Sequence, residues 1–72
     1  MSEIQNLKQM LMFDLVKHHI FGEIKQVGNI LTVFTQNLTK DKKEKINSFL
    51  YIYHKWASKL KLTIFIEEYP KL

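Results

Sequence analysis

The chain of 72 residues has no cysteine, which excludes disulfide staples and thiolate metal sites. It has no arginine either. All 11 basic residues are lysines, so the planar fork that reads guanine or phosphate in bidentate fashion is missing, which counts against a sequence-specific DNA reader. One proline (Pro70) and two glycines (Gly22 and Gly28) are scant punctuation for a chain of many short strands, and this favours helices. The longest approach to an uncharged apolar run is Leu62 to Ile66, far short of the roughly 18 residues needed to cross a bilayer. Neither a bilayer span nor a membrane partner is therefore expected. Lys8 is the first basic residue, and Glu3 and Asp14 break the early apolar stretch, so the expectation is no secretory leader and a cytoplasmic location.

What is present suits one small domain over residues 1–72, with 46% hydrophobic residues and a formal charge of +4. A chain this short buries only about 60% of its unfolded surface. Without disulfides, oligomerisation is the readiest aid, and a homodimer is expected.

The N-terminal segment opens with Ser2 and Gln5 at the spacing of a capping box. A helix from there puts Ile4, Leu7 and Leu11 on one stripe, widened by Met10, Phe13, Leu15 and Val16. Farther on, Ile20, Ile24, Val27, Leu31, Phe34 and Leu38 follow spacings of three and four, as do Ile46, Phe49, Tyr53, Trp56 and Leu60. Between them lies a lysine-rich connection in which Asp41 and Glu44 offer a second capping box. Two matched seams joined by a short polar link predict an antiparallel helical hairpin from Ile20 to Leu60, with Gly28 making room for the Trp56 indole. The expected fold is mostly α: this hairpin or a small three-helix bundle. A competing reading makes Phe21 to Phe34 a β-hairpin turning at Gly28-Asn29. Ile30 to Phe34 alternates poorly, and helix is preferred on that ground. The tail Leu62 to Ile66 is β-branched and aromatic and reads as a short strand in need of a partner, or as a further helical turn.

For chemistry, Asp14 with His18 and His19 with Glu23 stand four apart, a spacing that lets a carboxylate orient an imidazole on a helix. A histidine with an acid downstream, a helix, a polar loop and a second helix resembles the dimerisation and phosphotransfer hairpin of histidine kinases. The resemblance covers about half the chain and implies a phosphoacceptor role for His19. In that family an acid directly follows the histidine; here Ile20-Phe21-Gly22 intervene before Glu23. The commoner use of such residues is as surface histidines in helical ion pairs. A metal site joining His18 or His19 to His54 is rejected on distance along the helices, and no cofactor is expected.

A second group, Lys45, Ser48, Ile52, Lys55 and Lys59 with Tyr51 and His54 nearby, forms a basic face suited to a phosphate backbone. The commoner use of such a face is as the solvated side of an amphipathic helix. The remaining signal is surplus apolar surface. Met10, Phe13, Val16, Phe21 and Leu50 exceed what one helical seam buries, and they are the expected partner-binding residues. The sequence thus points to a non-catalytic regulatory or adaptor protein that binds another protein through an apolar, dimeric helical surface. The alternatives are nucleic-acid association through Lys45, Lys55 and Lys59, and the phosphotransfer hairpin.

Overall fold

A computed structural model describes residues 2–70 and corrects the helical expectation. The order of elements is α1 (Glu3–Lys17), β1 (Gly22–Val27), β2 (Ile30–Thr35), α2 (Lys40–Lys59) and β3 (Thr63–Glu68). The strands form one mixed sheet in the order β1-β2-β3. β1 and β2 pair antiparallel, and β3 runs parallel to β2 after the α2 crossover. There is neither a helical hairpin from Ile20 to Leu60 nor a three-helix bundle.

The β-hairpin wins because Gly28 takes φ 60° while Asn29 stays outside the positive-φ region, as a two-residue turn with glycine in first place requires. Gly28 therefore serves the turn and makes no room for Trp56; nothing lies within 4 Å of where its Cβ would be. The apparent seam splits between the two faces of the sheet. Ile24 and Leu31 face the helices, whereas Val27 and Phe34 face away. Ile30 to Phe34 alternates poorly because β2, the middle strand, carries apolar residues on both faces. The tail is indeed a strand, and its partner is β2 of the same chain.

Both helices are where their patterns place them. The Ser2 hydroxyl caps α1 by accepting from the Gln5 N–H at 3.2 Å. α2 is capped by Thr39, which accepts from the Lys42 N–H at 3.2 Å, so the cap falls two residues before the expected Asp41. Each helix then ends in the same device. At the end of α1, Ile20 N–H donates to Leu15 O at 2.9 Å and His19 takes φ 59°. At the end of α2, Leu62 N–H donates to Ala57 O at 2.8 Å and Lys61 takes φ 60°. These are Schellman-type ends, and the apolar residue just past each one, Ile20 or Leu62, is buried and leads into a strand.

The core lies between the helices and one face of the sheet. It joins Leu7, Leu11 and Leu15 of α1, Ile46, Leu50, Tyr53 and Ala57 of α2, Leu31 and Val33 of β2, and Ile64 of β3. Thr35 is buried beside them, and its hydroxyl donates to Phe21 O at 3.0 Å. Among the described residues no helix is long and apolar enough to cross a membrane.

Candidate functional site: the open face of the sheet

Helices cover one face of the sheet; on the other, strand alternation and pairing register set out a grid of nine side chains. Across the strands its rows are Val27, Ile30 and Thr63; then Lys25, Thr32 and Phe65; then Glu23, Phe34 and Glu67. An uncovered antiparallel face is ordinarily polar. This one keeps Val27 78%, Phe65 49% and Ile30 40% exposed. Phe34 is half-buried because Tyr69 stacks on it, with ring centroids 5.8 Å apart. The Lys25 ammonium lies 5.9 Å from the Phe34 ring centre and 3.9 Å from Glu23 Oε2. The chemistry on offer is an aromatic and aliphatic surface with a few charges at one end, suited to the side chains of another polypeptide.

The expected partner-binding residues do not form one helical surface. Met10, Phe13 and Val16 are exposed on the outside of α1, and Phe21 is 88% exposed in the approach to β1. Val16, His19, Ile20 and Phe21 line one shallow recess. Leu50 is buried between α2 and the sheet, because its turn of the helix carries the core stripe with Ile46, Tyr53 and Ala57. It belongs to the core and is removed from the patch.

The constellation at the end of α1 comes apart in a similar way. Asp14 accepts a hydrogen bond from the Tyr53 hydroxyl of α2, while His18 lies flat on the Phe49 ring, centroids 4.6 Å apart and planes 6° from parallel. Burial pushes the Tyr53 phenol well above the ordinary tyrosine range, and the Asp14 carboxylate pushes it further. His19 lies past the helix, and Glu23 is on β1. No helical hairpin exists to present His19, so the phosphotransfer arrangement loses its scaffold. This cluster is a structural tie between the helices.

Lys45, Lys55 and Lys59 lie exposed along α2, as the amphipathic pattern requires. The Lys45 ammonium is engaged, donating to the His18 carbonyl at 3.2 Å and so closing the C-terminus of α1. The lysine stripe is on the helical layer, opposite the face that carries Phe34, Phe65 and Tyr69.

Val27, Ile30, Phe34 and Phe65 were missing from the expected site. The signal for them was the competing hairpin: once Gly28-Asn29 is the turn, period-two alternation puts Val27, Ile30 and Phe34 on a common face. Phe65 joins them only through pairing with β2, which no local pattern announces. Searches of protein-family models, curated proteins and solved structures returned no match to this chain.

Proposed function

We propose that this protein is a non-catalytic binding module that holds another protein against the open face of its sheet. The observation that carries the proposal is the aromatic and aliphatic grid in which Val27, Ile30 and Phe65 are exposed around a half-buried Phe34. Exposed large side chains so grouped forgo roughly 1.5–3 kcal/mol of burial each, which only an occupant returns. Aromatic residues at the centre of a small patch are also where binding energy concentrates. Nucleic acid fits this face less well. A stacking platform for bases needs several lysines around its aromatics, yet here the one lysine of the grid, Lys25, lies beside Glu23, Glu67 adds a second acid, and the lysine stripe lies on the far side.

The test places a photo-crosslinking phenylalanine analogue at Phe65, with a control at Tyr51 on the outside of α2, and irradiates native cell extract with and without prior nuclease treatment. A discrete protein adduct from position 65 that is missing from position 51 is the expected result. Adducts only from position 51, or an adduct at 65 that is nucleic acid, overturn the proposal.

A further inference from the structure

We infer that two copies of this chain pair through the free edge of β1, joining their sheets into one of six strands across a two-fold axis. The direction of the backbone groups comes first. Thr63 N–H donates to Asn29 O at 2.9 Å and Tyr69 N–H to Thr35 O at 3.0 Å. The odd-numbered residues of β2 therefore bond toward β3, and the even-numbered ones toward β1. Their partners in the register, Val27, Lys25 and Glu23, spend their N–H and C=O groups on β2. Gly22, Ile24 and Gln26 consequently point theirs away from the sheet. Among the described residues no strand receives them. The edge is also accessible, since Ile24 is only half-buried beneath the helices and Gln26 is exposed.

An antiparallel copy must set outward-bonding residues opposite outward-bonding residues, and so the register moves only in steps of two. With Ile24 opposite its own copy, Gly22 meets Gln26 twice. On the open face each Glu23 then stands opposite a Lys25, and Phe21, just before the strand, comes level with Val27 of the other copy. Among the described residues, Phe21 and Val27 are the two most exposed large hydrophobic side chains, at 88% and 78%. Shifting one way sets Lys25 against Lys25; shifting the other sets Glu23 against Glu23. Like charges directly opposite disfavour both. The charges of β1 thus select one self-complementary register. β3, the other edge, has only acids, Glu67 and Glu68, while Lys61 lies before the strand, in the left-handed turn that ends α2. No pairing of two β3 copies matches acid to base. The partner for β1 is accordingly a second copy of this chain. The pair leaves Phe65 uncovered, so the binding proposal and this one stand or fall separately.

Sedimentation velocity of the full chain tests the inference. The parent is expected to sediment as a dimer, and Glu23→Lys alone or Lys25→Glu alone to weaken association about tenfold. Mixing the two variants in equal amounts restores the dimer, because every cross-strand pair in the mixed species is again of opposite charge. Phe21→Ser weakens association without moving the melting temperature of the monomer. A monomeric parent at about 100 µM, a dimer indifferent to both reversals, or a mixture that fails to recover overturns the inference.

Discussion

At the residue scale the most consequential polar contact is Tyr53 with Asp14. The phenol is buried at 5% exposure between α2 and α1, and its hydroxyl donates to a carboxylate that only the neutral phenol can satisfy. Tyr53→Phe leaves a half-buried carboxylate without its donor, and chemical denaturation at neutral pH is expected to show a loss of about 1–3 kcal/mol. The pH dependence has a definite sign. Tyr53 titrates higher in the folded chain than in the unfolded one, so the folded state holds its proton longer. The associated stability is complete below the ordinary tyrosine value of about 10 and is lost as pH rises above it. Denaturation at pH 9 and at pH 11 should show the parent weakening across that interval more than Tyr53→Phe; equal weakening would remove Tyr53 as the cause. Asp14 was legible as a chemically interesting residue. Its partner was not, because histidine four residues on is a neighbour in sequence, whereas Tyr53 arrives through packing of the two helices.

At the element scale the two helix-to-strand junctions are one solution used twice. Each places a non-glycine residue, His19 or Lys61, in the left-handed region, where L-residues carry roughly 1–2 kcal/mol of strain. Lys61→Gly is therefore expected to raise stability by up to about 1 kcal/mol in thermal or chemical melts. Gly28→Ala should act in the opposite direction. Its Cβ meets no neighbour within 4 Å, so any loss, expected at about 1–2 kcal/mol, is backbone strain at φ 60° alone. An unchanged midpoint for Gly28→Ala would mean that the turn accepts another geometry. Helix ends with αL residues other than glycine leave little trace in sequence, and so the boundary after Lys17 was not visible. The Ser2 cap was legible because serine and its spacing to Gln5 carry the mechanism locally.

At the scale of the whole molecule, charge and apolar surface are separated. Seven of the eleven lysines fall between Lys40 and Lys61, on and around α2, while the open sheet face carries its hydrophobic grid beside Glu23 and Glu67. Lys55→Glu with Lys59→Glu is expected to leave the melting midpoint within about 0.5 kcal/mol of the parent, as for exposed positions without partners. It should also leave crosslinking from position 65 intact. Binding of single-stranded DNA that falls steeply with salt and vanishes in this double variant would instead assign α2 a nucleic-acid role. Lys45 is omitted from the variant because its ammonium closes the end of α1.

Local physics alone determined a good part of this protein. The apolar stripe Leu7, Leu11, Leu15 and the stripe through Ile46 and Tyr53 specify two amphipathic helices whatever they pack against, and the β-branched tail from Thr63 favours an extended chain. The stretch from Ile24 to Phe34 is different in kind. Its apolar residues satisfy a helical period and, equally, the two faces of a hairpin, so the choice falls to whatever surrounds it. Tertiary structure decided it: as a hairpin, β2 offers Leu31 and Val33 to both helices while bonding to β3 on its far side. A lone helix there would leave β3 without a partner for its backbone. The same long-range pairing set Phe65 beside Thr32, because which strand a tail joins is settled by its neighbours in space.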